Sequence, residues 1–191
     1  MIRINSQSGK GGVAYALEKE SGYQLPRRMQ MEFSSVVQAS AEATGEELSH
    51  ERVGVLFERE YLGLETGPRL TGERRLAAQG DGAEERLEAT LAWGELQLSL
   101  RGQGSGPLDA FVRALAAALG ISIRIGDFHE HALGAGADAT AAAYVEVVFG
   151  PDRRLFGAGR AASIVEASFE AVLSAIARAV DRGWIASPSG R

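Results

Sequence analysis

Along residues 83–183 the chain alternates apolar and polar positions, changes to helical spacing, and then does both again. "RLEATLAWGELQLSLRG" puts Leu87, Ala89, Leu91, Trp93, Leu96, Leu98 and Leu100 on alternate positions about Gly94. This predicts a hairpin with one buried face. "SGPLDAFVRALAAALG" then spaces Leu108, Phe111, Val112, Leu115 and Leu119 along one helical stripe between Pro107 and Gly120, a helix with ordinary start and stop signals. "ISIRIGDF" alternates again, and "AAAYVEVVFG" is apolar almost throughout, as a central strand is. "RRLFGAGRA" predicts a further strand that breaks into a glycine turn. In "SIVEASFEAVLSAIARAVDRG", Ser163 and Glu166 have capping-box spacing, Val165, Phe169, Val172 and Ile176 form the buried face, and Gly183 closes the helix.

The first sixty residues are less regular. "IRINSQ" and "GGVAYALEKE" predict two short strands joined by the glycine-rich "SGKGG", the second supported by Val13, Tyr15 and Leu17. "GYQLPRRMQMEFSSVVQASAEATG" predicts a helix with Pro26 in its first turn, Met29, Phe33, Val36 and Val37 on one face, and Gly45 at its end. Ser49 is a good N-cap for a second helix carrying Val53, Leu56, Phe57 and Tyr61.

The expected organisation is a small unit at 1–62, a Gly-rich charged linker at 63–82 with room for a strand around Arg69, a larger unit at 83–183 and a tail at 184–191. The fold class is α+β. A strand-helix-helix subdomain precedes two strand-strand(-strand)-helix units whose helices cover one face of mixed sheets. The other sheet face needs cover, and a second subunit is the simplest source of it.

Composition narrows the function. Hydrophobic residues at 45% and charged residues at 24% fit a globular chain large enough for a core. A net charge of -5 argues against a general nucleic-acid binder. With no cysteine, disulfides, thiolate metal sites and a cysteine nucleophile are excluded. A reducing, cytoplasmic setting fits. The N-terminus has no apolar leader, and no apolar run approaches the ~20 residues that span a bilayer.

Three stretches hold candidate chemistry. "INSQSGKGGVAY" resembles a phosphate cradle, but Lys10 is followed by Gly11 and Ile4 stands where the pattern needs glycine. Read as a strand, the residues after Gly12 offer no helix dipole either, so a hairpin turn with Lys10 exposed is expected. His129 and His131 share a strand face, and with Asp127 or Glu130 they could begin a metal site. The third histidine, His50, is distant in sequence. Gly157 and Gly159 precede a capped helix N-terminus that could hold a carboxylate. No nucleophile and base pair stands out.

Taken together, "INSQSGKGGVAY", "LPRRMQMEFSSVVQ", "GSGPLDAFVRAL", "FHEHALGAGADATAAAYVEV" and "GAGRAASIVEASFEAVLSAIARA" resemble, in order, the C-terminal third of 2-isopropylmalate synthase, most closely the actinobacterial type. The resemblance implies a linking subdomain followed by a leucine-sensing regulatory domain that pairs across a dimer and inhibits a distant barrel. That barrel condenses acetyl-CoA with 2-oxoisovalerate and uses a divalent metal. The resemblance implies no barrel, catalytic residue, cofactor or metal in this chain. It assigns the leucine pocket to Leu108, Asp109, Ile125, Phe128, Ala132, Ala139, Ala161 and Ile164. Three positions depart from the family. Phe128 stands where close relatives often have tyrosine, Asp109 where a small apolar residue is usual, and Arg160 where an aliphatic residue is usual.

The expected function is a leucine-sensing, dimerising regulatory module with no catalysis of its own. The expected partners are L-leucine or a similar amino acid and a second copy of the chain. One alternative is a non-catalytic component that supports a separate barrel subunit in trans. Another is a dimerisation scaffold that no longer binds ligand.

Overall fold

A computed structural model of the chain describes residues 3–4, 10–45, 48–63, 67–78, 84–134 and 139–188. The first unit is mostly helical. It comprises β1 (Arg3–Ile4), α1 (Lys10–Ser21), α2 (Arg27–Thr44), β2 (Leu48–Ser49) and α3 (His50–Phe57), which runs on into a π-helical turn at Glu58–Leu62. β1 pairs antiparallel with β2.

The expected strand at "GGVAYALEKE" is instead α1. Val13, Ala16 and Leu17 are buried at helical spacing, whereas Tyr15 is 58% exposed on the opposite side. The apparent alternation of Val13, Tyr15 and Leu17 therefore does not describe one face. Ala14, Ala16, Leu17, Glu18 and Lys19 are good helix formers, and packing on α2 and α3 decides the state. Lys10 to Gly12 thus open a helix, while residues 5–9 of the glycine-rich turn lie outside those described.

α2 and α3 follow the sequence expectation. Pro26 is the N-cap residue of α2, and Gly45 ends it in the left-handed conformation. The Ser49 side chain accepts the Arg52 amide at the start of α3.

Residues 67 onward form two copies of one plan. β3 (Arg69–Ala78), β4 (Glu85–Trp93) and β5 (Leu96–Gly104) make a three-stranded sheet followed by α4 (Pro107–Leu119). β6 (Ile123–Leu133), β7 (Thr140–Phe149) and β8 (Arg153–Ala161) make another, followed by α5 (Ile164–Asp181). β3 lies inside the expected linker, so the first copy has three strands and not two. A register shift between Thr71 and Arg75 breaks its alternation, and its charged, exposed side chains disguise it. Every strand pair in both sheets is antiparallel, where mixed sheets were expected. The predicted hairpin is present, with Trp93 opposite Leu96 and Gly94 at positive φ.

Both helices sit unusually close to their own third strand. A Cβ on Gly157 would fall 1.9 Å from the Ala171 carbonyl oxygen, and one on Gly159 would fall 2.0 Å from that of Ala167. In the first copy a Cβ on Gly102 would lie 2.2 Å from the Ala110 oxygen. Gly157 and Gly159 are therefore strand residues pressed against α5, not a turn. Matching alanines four residues apart on each helix complete the close approach.

One apolar core joins the two copies, with the Phe111 and Phe169 rings stacked at 4.3 Å between centroids. The opposite face of the second sheet is covered by the chain's own helical unit. Ala142, Tyr144, Phe156 and Ala158 share a core with Val13, Leu17, Met29, Phe33, Phe57 and Tyr61. That face was expected to need a second subunit. Trp184 and Ile185, placed in the expected tail, pack against the first core.

Candidate functional site

A cavity of about 360 Å³ opens where the N-termini of α4 and α5 meet β6. Its walls include Leu108, Phe128, Ile164, Val165 and Phe169, with Ser105, Asp109, Glu130 and Ser168 as the polar contributors. Four of the eight sequence-assigned residues, Leu108, Asp109, Phe128 and Ile164, line it together. The other four do not. Ile125 and Ala161 pack on the core beneath. Ala132 is exposed near the end of β6, and Ala139 is half-buried just before β7.

A bulge builds the strand wall. Ile125 pairs with Val147, but the next pairing is Asp127 with Glu146, leaving Gly126 as the extra residue. Beyond it Phe128 lies opposite Val145 and Glu130 opposite Ala143, the side that faces the helices. Phe128 and Ile164, both on the cavity lining, remain 37% and 40% exposed. His129 and His131 share a face as expected, but it is the opposite one. There His129 contacts Asp127 at 3.2 Å. His131 Nε2 lies 2.8 Å from the Tyr144 hydroxyl and 3.2 Å from the Gln24 amide. Among the described residues no cluster of three or more His, Asp or Glu is arranged to hold a metal ion.

The polar groups at the cavity are mostly committed. Asp109 Oδ1 accepts from Arg113 Nε at 3.0 Å, and Oδ2 accepts the Ser105 amide at 2.9 Å. These bonds, the one from Arg113 foremost, hold the Asp109 carboxyl below the usual carboxylate range. Asp109 thus ties down the loop before α4 and does not stand free in the cavity. Ser168 Oγ donates to the Ile164 carbonyl at 2.7 Å. Ser163 accepts the Glu166 amide at 3.2 Å, one half of the expected capping box. The Glu166 carboxylate bonds to Arg74 of β3 instead. α4 has glycine at its N-cap and no side-chain cap, so its first-turn amides lack intrahelical acceptors.

Arg160 lies outside the cavity. It sits opposite Ala142 on the other sheet face and donates to the Tyr23 hydroxyl at 2.9 Å. Its amide donates to Glu170, whose carboxyl burial pushes up. A second, more polar cavity of about 290 Å³ lies where Tyr61, Leu62, Arg69, Arg74, Glu170 and Ser174 converge, and it contains none of the assigned residues.

Ser105, Glu130, Val165, Ser168 and Phe169 line the cavity but lie outside the set that the sequence resemblance implies. The repeat carried a usable signal: Gly102-x-Gly104 before Ala110 and Ala114 matches Gly157-x-Gly159 before Ala167 and Ala171. Aligning the copies on these glycines brings the two helix starts, Pro107 and Ile164, to within two positions of each other.

Fold and cavity together define a tandem three-strand-plus-helix domain, its copies joined through their helices and a small apolar cavity left between the helix starts. The chain belongs to the LeuA allosteric (dimerisation) domain family, whose model matches residues 47–180. It is 46% identical over 96% of its length to a 2-isopropylmalate synthase of Cupriavidus taiwanensis, of which it covers 31%. It is 44% identical over 94% of its length to that of Parafrankia sp., covering 32%. For Pseudomonas fluorescens strain Pf0-1 the identity is 43% over 95% of the chain, covering 32%. The chain thus spans about a third of these relatives, corresponding to their C-terminal part. No helix among the described residues is long and apolar enough to cross a membrane.

Proposed function

We propose that this chain is the ligand-sensing and dimerising part of a 2-isopropylmalate synthase, and that L-leucine or a similar aliphatic amino acid binds between the starts of α4 and α5. The observation that carries this is the cavity itself. It gathers Leu108, Phe128 and Ile164 with Phe169 and Val165 around a space suited to a small ligand. The uncapped first turn of α4 offers amide donors for a carboxylate. The regulated reaction is the condensation of acetyl-CoA with 2-oxoisovalerate on a metal-dependent barrel, with the chain acting as a homodimer. A scaffold that has lost its ligand is the weaker alternative, because Asp109 is held by Arg113 and Arg160 faces away from the cavity.

Thermal melting with L-leucine tests it. At about a hundred times the dissociation constant the gain is about 2.7 kcal/mol, a rise of roughly 5–10 °C for a chain this size. Ile164→Glu places a charge in the cavity at an exposed helix start, where it folds readily. The rise should vanish in that variant. No rise in the unaltered protein at millimolar leucine refutes the assignment.

A further inference from the structure

We propose that Glu130 is the residue that makes this cavity select an amino acid over the matching acid without an amino group. The inference rests on the ligand assignment above and deepens it. Among the described residues that line the cavity, each polar side chain has a stated use except one. Asp109 is held by Arg113 and Ser105. Ser105 Oγ is spent on Asp109, and Ser168 Oγ on the Ile164 carbonyl. Glu130 lines the same space and has no hydrogen-bond or ion-pair partner among the described residues.

Its presence on that wall is not an accident of alternation. Without the extra residue at Gly126, the strand would turn Glu130 to the side of His131. The pairing of Phe128 with Val145 and Glu130 with Ala143 puts both on the helix side. The bulge is also guarded, since a Cβ at Gly126 would fall 2.4 Å from Glu146 Oε2. The wall therefore presents an apolar ring and, two residues on, a free carboxylate. A ligand that uses both carries an aliphatic group and a cation. An ammonium donates a charge-assisted hydrogen bond to such a carboxylate, stronger than a neutral one. A 2-oxo acid or simple carboxylic acid with the same carbon skeleton has no such donor, and its own negative charge meets that of Glu130 unrelieved.

Titration calorimetry of the unaltered protein and of Glu130→Gln, each with L-leucine, 4-methyl-2-oxopentanoate and 4-methylpentanoate, tests this. The unaltered protein should bind leucine at least about tenfold more tightly than either acid lacking the amine. Glu130→Gln should lose about tenfold or more for leucine and little for the other two, so that the preference collapses. The ligand-free melting temperature should not move, because the replaced side chain is exposed and unpartnered. Leucine binding within about twofold of the unaltered protein in Glu130→Gln overturns the role of Glu130 and leaves the ligand assignment standing. Equal affinity of the unaltered protein for leucine and 4-methylpentanoate overturns it without recourse to the variant. No leucine binding to the unaltered protein overturns both.

Discussion

Arg178 of α5 donates through Nη1 to the Glu32 carboxylate of α2 at 2.6 Å, with its guanidinium only 2% exposed. Around this bond the helical unit is fastened to the second sheet. Nε and Nη2 of Arg178 reach Glu60 at 3.0 and 2.7 Å, and the guanidinium lies 4.0 Å from the centre of the Tyr61 ring. Glu32 also accepts the Tyr61 hydroxyl and the Phe156 amide. The π-helical turn at Glu58–Leu62 puts Glu60 and Tyr61 within reach of the same cation. Removing one partner of such a network leaves charges without compensation, which costs about 3–5 kcal/mol when fully buried. Glu32 and Glu60 keep some solvent contact, so Arg178→Ala should cost about 3 kcal/mol, read from the denaturant midpoint. A loss below about 1 kcal/mol would show that apolar packing alone holds the units together.

The close seating of α5 predicts intolerance of a single methyl group. Gly157→Ala would place its Cβ against the Ala171 carbonyl, and backbone cannot swing aside as a side-chain end can. Overpacking of this kind costs about 1–3 kcal/mol or more, or at least several degrees of melting temperature. Gly134→Ala, where a Cβ meets nothing within 4 Å but φ is +84°, separates steric crowding from backbone strain. It should cost only about 1 kcal/mol or slightly more.

Much of this architecture is readable from residues. The two helices of the repeat, their stop glycines and the Trp93–Leu96 hairpin follow from periodicity and turn chemistry. α1 escapes because two glycines open it and Tyr15, an exposed aromatic, imitates a strand alternation. β3 escapes because an edge strand with arginines on its surface and a register shift looks like a linker. The cavity is half legible. Leu108 and Ile164 occupy equivalent helix starts in the two copies, but Glu130 and Phe169 join them only through the Gly126 bulge and the Phe111–Phe169 stack. The bulge shows in the sequence only as an isolated glycine within a strand, and the stack has no local signature.

Two carboxylates should give opposite pH responses. The Asp109 pKa is lowered, chiefly by the hydrogen bond from Arg113. Its stabilising contribution is present above the unfolded carboxylate pKa and fades as pH falls through the lower folded value. Asp109→Asn should therefore flatten the acid limb of a plot of stability against pH. Glu170 is raised by burial. Relative to the unfolded chain, its contribution is most favourable below the unfolded pKa and is lost as pH rises through the higher folded value. Glu170→Gln keeps an acceptor for the Arg160 amide and should be neutral or stabilising at pH 7. Denaturant melts across mildly acidic pH compare the slopes, and a destabilised Glu170→Gln with unchanged slope would contradict the assignment.

His131 ties the second sheet to the segment before α2 through Tyr144 and Gln24. Tyr144 is pushed up by burial, so its hydroxyl stays protonated as a donor. Tyr144→Phe removes that donor from an otherwise packed ring. It should cost about 1 kcal/mol in a denaturant melt, while leucine binding on the opposite sheet face stays within about twofold. A tenfold loss of binding would mean that the two faces are coupled.

The most direct measurement is residue-resolved chemical-shift mapping of this chain during titration with L-leucine. Binding between the starts of α4 and α5 predicts saturable shifts at Leu108, Phe128, Glu130, Ile164, Val165 and Phe169, with Ala132 and the Tyr61–Arg74 cavity little moved. Saturable shifts centred on Tyr61, Arg69 and Glu170, or none at millimolar leucine, would contradict it.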